Sequence, residues 1–174
     1  MSKTFLQFSV MFVVMVLLQA VIFNRLVLFS VALAFLFIYF IIKLPMNTSS
    51  SKVIFLSFLI GFCVDVFSDT PGMNALACTY LGGCRHTVLR LYVPREDDVI
   101  HRILGISSLG WAVFSKYILT MSLLYCVMVN LIESFRFDHP LLLTERAIGS
   151  TLLTSMLIMV TDFIFSRSQL STAK

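Results

Sequence analysis

Six apolar segments alternate with short polar stretches along this chain. A helix that crosses a bilayer needs about 20 predominantly apolar residues, and each segment comes close to that length. The pattern therefore predicts six transmembrane helices, at about 4–23, 26–42, 53–68, 73–92, 109–132 and 141–165.

The polar stretches between these segments predict how the helices are joined. Asn24-Arg25 is a very tight connection, the stretch 43–52 reads as a loop, and Asp69-Thr70-Pro71-Gly72 is a strong turn signal. The uncharged part of segment 73–92 is short, so a re-entrant segment is the alternative there. Acidic residues open the stretch 94–102, which predicts a short helix on the membrane surface.

Composition agrees with a bilayer environment. Of the 174 residues, 59% are hydrophobic and only 13% are charged, whereas soluble domains carry about 25% charged residues. The predicted helices occupy nearly the whole chain and leave no room for a soluble domain. We therefore expect an all-α, polytopic protein with a single integral membrane domain over 1–174. Its first segment is too long for a typical signal peptide and is interpreted as an uncleaved span.

Basic residues are distributed unevenly between the two sets of helix ends. One set carries nine lysines and arginines and the other carries three, Arg25, Arg136 and Arg146. Because cytoplasmic loops are enriched in Lys and Arg, this predicts that both termini are cytoplasmic. The formal net charge of +4 is explained by topology and by contacts with lipid headgroups, so no nucleic-acid partner is predicted.

Charged residues inside the apolar segments are candidates for a functional site, because burying them in a bilayer is costly. From the rise per residue, Asp65 and Arg146 lie roughly 5 and 8 Å below one face, and Lys116 and Asp162 roughly 10 and 6 Å from the other. These depths predict two ion pairs, Asp65–Arg146 and Lys116–Asp162. The alternatives are that Lys116 and Asp162 extend to the interface and that Asp65 caps the turn at Asp69–Gly72.

Small residues recur at a spacing of four on two segments. Ser57 and Gly61 do so on the third, and Ala75, Thr79 and Gly83 on the fourth. Small-xxx-small faces let helices approach closely. Packing between these two helices and docking of a helix from another protein are both open interpretations.

No catalytic or cofactor motif emerges from the remaining polar residues. The three histidines lie in no metalloprotease motif, and there is no phosphate-binding loop. Cys63, Cys78, Cys84 and Cys126 form no CxxC pair and indicate no disulfide framework or metal site. The sequence therefore predicts a protein that is not an enzyme and that has no cofactor.

The third and fourth segments carry a recognisable motif. The stretch 59–75 contains Gly61, Asp65, Pro71, Gly72 and Asn74, and it resembles the signature of the rod shape-determining MreD family. The stretches 108–117 and 131–135 resemble the Bacteroidetes branch of that family. Length and predicted span count agree as well, so the resemblance extends over nearly the whole chain.

The resemblance implies a non-enzymatic scaffold of the bacterial elongasome in the inner membrane, which supports rod shape and lateral peptidoglycan synthesis. The implied partner is an MreC-like single-span scaffold protein, together with MreB, RodA and a class B penicillin-binding protein. The motif residues are then expected to shape the hairpin. The family is also thought to share a fold with the substrate-binding subunits of ECF vitamin transporters, and such a subunit is the alternative function. The absence of an alanine-xxx-alanine face in the first span counts against transport.

Overall fold

The computed structural model describes the backbone of residues 2–23, 27–28, 32–70, 72–92, 104–105, 109–134 and 140–172. Side chains are described for 6–21, 33–70, 72–92, 104–105, 109–133 and 147–164. The elements are α1 (Ser2–Leu18), a π-helical turn (Gln19–Phe23), β1 (Val27–Leu28), β2 (Ala32–Leu33), α2 (Ile38–Lys43), α3 (Ser50–Ser68), α4 (Met73–Tyr92), α5 (Trp111–Ser134) and α6 (Pro140–Thr172).

Three of these helices are long and apolar enough to cross a membrane. Within the described residues they cover Ser50–Ser68, Trp111–Glu133 and Ala147–Ile164, which correspond to the third, fifth and sixth predicted spans. A shorter apolar helix covers Leu6–Val21. Helix α4 has 20 residues, but Arg85 and Arg90 make it less apolar. The chain is therefore a helical protein with three candidate membrane spans.

The second predicted span is not a continuous helix. Strands β1 and β2 form a short antiparallel hairpin in which Val27 is opposite Leu33. After β2 the chain has no regular structure at 34–35 and turns at 36–37, directly before the six-residue helix α2. We call residues 32–36, which precede α2, the extended segment. A continuous apolar run cannot by itself distinguish a buried helix from buried extended chain. The prediction of a helix over 26–42 is therefore correct only at its end, where α2 forms.

Side chains from two other elements satisfy the backbone of this extended segment. Gln19 on the π-helical turn donates to the Ala34 carbonyl at 2.9 Å and accepts from the Leu36 N–H at 3.0 Å. From α6, the Ser150 and Thr154 hydroxyls each accept a backbone N–H, from Leu33 and Phe35 respectively, at 3.1 Å. Irregular backbone is tolerated at membrane depth only where protein or water satisfies it, and these four bonds satisfy three N–H groups and one carbonyl of the segment.

Helix α2 lies in the centre of the fold. All five residues from Ile38 to Ile42 are buried, and a helix that is apolar on every side belongs in a core. Just before it, the rings of Phe35 and Phe37 make edge-to-face contacts with Tyr125 of α5, with centroids 4.9 and 5.6 Å away. These contacts join the extended segment to α5.

Helices α3 and α4 approach closely where small residues meet. A Cβ atom added to Gly61 would lie 2.5 Å from the Asn74 carbonyl oxygen, and one added to Gly82 would lie 2.5 Å from the Ser57 hydroxyl. Ser57 and Ala75 are buried, and Thr79 is half-buried and bonds back to the Ala75 carbonyl. Gly83 takes no part in this contact, because it is exposed and an added Cβ there would meet nothing within 4 Å; docking of a helix from another protein stays a prediction for this position.

The α4 contact with α3 is therefore made by Ala75 and Gly82, whereas the predicted spacing of four leads to Gly83. A helix has 3.6 residues per turn, so Gly82, seven residues after Ala75, lies on nearly the same side of α4 as Ala75. Gly83, eight residues after Ala75, is rotated further away.

Candidate functional site: a polar hairpin beside a cavity

Asp65 forms the centre of the turn between α3 and α4. One carboxylate oxygen accepts from the Asn74 N–H at 3.0 Å, the Asn74 side-chain amide at 2.9 Å and the Thr70 hydroxyl at 2.7 Å. The other oxygen accepts from the Ala75 N–H at 2.8 Å. Two of these donors are backbone N–H groups in the first turn of α4, where a helix leaves its N–H groups unsatisfied and its dipole favours a negative charge.

The backbone of the turn brings the Asp65 carboxylate to the start of α4. Asp69 ends α3 in the left-handed region, with φ 57°, and its N–H donates to the Asp65 carbonyl. Gly72 also has a positive φ, 78°, which glycine adopts without steric cost. Among the motif residues, Pro71 lies outside the described part of the chain.

Asn74 connects this turn to α5. Its side-chain amide donates to Asp65 and to the Thr70 hydroxyl, and its oxygen accepts from the buried Tyr125 hydroxyl. Asn74 therefore has hydrogen-bond partners for both ends of its amide. Asp65, Thr70, Asn74 and Tyr125 form a closed polar network that joins three helices, and we call it the hairpin network.

A half-open cavity of about 320 Å³ lies beside the hairpin network. It is lined by Gln19, by Leu33 and Phe35 of the extended segment, and by Thr70 and Asn74 of the hairpin network. Phe67, which is 60% exposed, and Glu133 also line it. This volume falls at the lower end of the range for small-ligand pockets, about 300–1,000 Å³, and the cavity combines aromatic walls with a few polar groups.

Glu133 differs from Gln19, Thr70 and Asn74 of the cavity in its hydrogen bonding. It is half-buried near the end of α5, and none of the described residues gives it a hydrogen bond or an ion pair. The negative end of the helix dipole lies at this terminus, where a carboxylate is disfavoured. Within the part of the chain that the structure describes, Glu133 is therefore a negative charge at the cavity without a counter-charge.

A second buried carboxylate, Asp162, lies near the other end of the helices. It is fully buried, and it forms an ion pair with Lys43 and accepts a hydrogen bond from the Tyr39 hydroxyl at 2.8 Å. Gly105 lies against this pair, since a Cβ added there would be 2.8 Å from the Lys43 ammonium nitrogen. The carboxylate thus links α6 to α2.

Arg85 lies in the same half of the molecule and is fully buried. Its Nη2 donates to the Leu44 carbonyl, while Nε and Nη1 have no hydrogen-bond partner among the described residues. The buried Tyr117 hydroxyl lies beside the guanidinium, but no described residue gives it a hydrogen bond of good geometry. Buried donors without acceptors are costly, so this region is less completely satisfied than the hairpin network.

The structure gives the carboxylate of one predicted charge pair, Asp162, a different partner. Asp162 pairs with Lys43 rather than with Lys116, which is exposed on α5. The comparison of depths did not include Lys43, because the sequence placed it in a loop. In the structure Lys43 is the last residue of α2. The Arg146 side chain lies outside the described residues. The donors to Asp65 are those of the turn and of α4, as the alternative interpretation expected.

Several residues of these clusters were not singled out by the sequence prediction, namely Gln19, Tyr39, Tyr125 and Glu133. Gln19 is an uncharged polar residue in an apolar stretch, which was a usable signal for a buried hydrogen bond. The two tyrosines offered no such signal, because tyrosine also occurs where it only packs. Among the described residues no group of three or more His, Cys, Asp or Glu side chains could hold a metal ion, and the four cysteines are free.

Comparison with known proteins adds no assignment to this geometry. No family model, curated protein or solved structure matches the chain.

Proposed function

We propose that this chain is a non-enzymatic membrane scaffold of the bacterial elongasome, of the MreD type, that supports rod shape by binding an MreC-like single-span protein. One observation carries the proposal. The described motif residues behind the resemblance all contribute to one hairpin: Gly61 permits the close contact with α4, Asp65 and Asn74 build the hairpin network, and Gly72 completes the turn.

The way Asp65 is used supports a structural role. Both of its oxygens accept hydrogen bonds from the turn and from the start of α4. A general acid or base needs a carboxyl group within reach of a substrate, and a carboxylate held by this many local donors is better suited to shaping the chain.

The proposed setting is the inner membrane, with six membrane-embedded segments, of which the second is the broken one that ends in α2, and with both termini in the cytoplasm. Three apolar helices support membrane insertion, and the excess of Lys and Arg at one set of helix ends supports the orientation. In this orientation the Asp65–Gly72 hairpin and the cavity face outward. MreB, RodA and a class B penicillin-binding protein would complete the assembly, and anionic lipids would contact the basic ends.

Co-purification tests this function. The chain is expressed with the full-length MreC-like protein of the same organism, extracted in mild detergent and captured through a tag on one partner. We expect the wild-type pair to co-purify and Asp65→Ala to reduce recovery of the partner, because the hairpin loses its organising acceptor. Asp69→Asn, at an exposed position of the same turn, is the matched control and should leave recovery unchanged. Failure of the wild-type pair to associate contradicts the proposal.

The cavity favours a second candidate, the substrate-binding subunit of a vitamin-type transporter. Its volume of about 320 Å³ would hold a small molecule. This candidate requires association with an energising transporter subunit. Co-purification with such a subunit, in place of the MreC-like protein, would select it.

A further inference from the structure

We propose that the cavity beside the hairpin is the docking site for the partner, and that it receives a basic side chain, arginine or lysine, from the partner's outward-facing segment. This inference rests on the proposed scaffold function. It adds the location of the contact and the chemistry that recognises it.

The first argument for a basic side chain is the negative charge of Glu133 in the cavity. Gln19 uses both ends of its amide on the extended segment, and Asn74 uses both ends of its amide in the hairpin network. Glu133, in contrast, has no hydrogen-bond or ion-pair partner among the described residues. Since the helix dipole disfavours a carboxylate near the end of α5, a cation from outside would complement both the side chain and the helix terminus.

The walls of the cavity carry the second step. Phe35, Phe37 and Phe67 line it together with Val64 and Val129. Arginine and lysine have an apolar stem that packs on such walls and a cationic head that is attracted to aromatic faces. A purely apolar anchor would fill the same space but would bring no counter-charge for Glu133.

The third argument is that hydrogen bonds hold the residues that line the cavity in place. One wall is the extended segment, which Gln19, Ser150 and Thr154 hold through its backbone. Another begins at Thr70 and Asn74, which the hairpin network holds. A preformed pocket binds an anchor without the cost of ordering its own walls, and at about 320 Å³ it fits an anchoring side chain rather than a whole helix.

Site-specific photo-crosslinking in membranes tests the inference. The crosslinking amino acid p-benzoylphenylalanine replaces Phe67, which lines the cavity and is 60% exposed, or Phe62, which is 51% exposed on the same helix. Five residues separate the two positions, so they point about 140° apart. With the MreC-like protein co-expressed at full length, we expect a crosslink from position 67 and little from position 62.

The role of the charge is tested by Glu133→Gln, with Glu133→Asp as the conservative variant. We expect Gln to weaken partner binding about tenfold, which corresponds to 1.4 kcal/mol, and Asp to retain most of the binding. Gel filtration and thermal unfolding of each variant establish that it is folded. If Gln does not fold, the comparison of Asp with wild type and the crosslink from position 67 still decide the result.

Each outcome has a definite meaning. If the partner co-purifies but does not crosslink from position 67, and Glu133→Gln binds it normally, the docking site is wrong and the scaffold function stands. If the partner does not co-purify at all, both proposals fail. Calorimetry with 2-phenylethylamine, a small aromatic cation, tests the other occupant. Binding that depends on Glu133, without a crosslink from position 67, would overturn the docking site in favour of small-molecule binding.

Discussion

Two buried carboxylates, Asp65 and Asp162, are held in opposite ways. Asp65 is 6% exposed and all its described donors are neutral, at most ten residues away in the chain. Asp162 is 0% exposed and is held by the ammonium of Lys43 and the hydroxyl of Tyr39, 119 and 123 residues away. The first carboxylate fixes a local turn and the second ties together distant parts of the chain. For these two buried carboxylates, the separation in sequence between the acid and its donors distinguishes a local turn from a long-range connection.

The largest expected effect comes from removing the local acceptor. Asp65→Ala leaves the Asn74 and Ala75 N–H groups and two side-chain donors without their acceptor. Hydrogen bonds to a charged group each contribute about 1.5–3 kcal/mol and are not additive, so we expect a loss of about 3 kcal/mol or more. Equilibrium unfolding in detergent measures it. The control Asp69→Asn keeps a residue that tolerates the left-handed conformation, and a comparable loss there would refute the special role of Asp65.

An intermediate effect is expected at the long-range pair. Lys43→Met removes the cation and leaves Asp162 buried with the Tyr39 hydroxyl, and breaking a buried pair in this way costs about 3 kcal/mol. Lys43 retains 18% of its side-chain exposure, so partial solvation should reduce the loss to about 2 kcal/mol.

The double variant Lys43→Met/Asp162→Asn sharpens this test, because it removes both charges. We expect it to recover at least half of the loss, as a coupled pair should in a double-mutant cycle. Simple addition of the two single losses would show that Lys43 and Asp162 act independently.

The smallest effect on the free energy of unfolding is expected at Arg85. It lies in the same half of the molecule as Asp162, but no described ion pair balances its charge. Two of its guanidinium nitrogens have no partner in the described part of the chain, so Arg85→Met removes a poorly satisfied charge and keeps the apolar stem. Replacing buried ions with apolar groups of similar volume is often neutral or stabilising, and we expect a change within about 1 kcal/mol. A loss as large as that of Asp65→Ala would show that the guanidinium is fully compensated.

The sequence predicted the helical class and three of the long apolar helices because length and apolarity alone determine them. It also located the turn, since Asp69 and Gly72 adopt the left-handed conformations that turn residues favour. The clusters were harder to predict. The donors to Asp65 include backbone N–H groups of Asn74 and Ala75, and a backbone N–H leaves no trace in residue type.

The extended segment could not be predicted for a related reason. Its stability depends on Gln19, Ser150 and Thr154, which lie in other elements. The stretch itself reads as continuous apolar sequence, and its periodicity contains no information about distant partners. The pairing of Lys43 with Asp162 could not be predicted for the same reason, because the two residues are 119 positions apart and meet only in the folded chain.

The extended segment has a consequence for biosynthesis. The N–H groups of Leu33 and Phe35 are satisfied by hydroxyls 117 and 119 residues later in the chain. When the segment leaves the ribosome, the helix that will complete it has not been made. Until α6 has been synthesised, these two N–H groups therefore need another acceptor, such as water or another part of the backbone. Synthesis that stops before α6 would leave those two groups unsatisfied, and cellular quality control could recognise such a truncated chain.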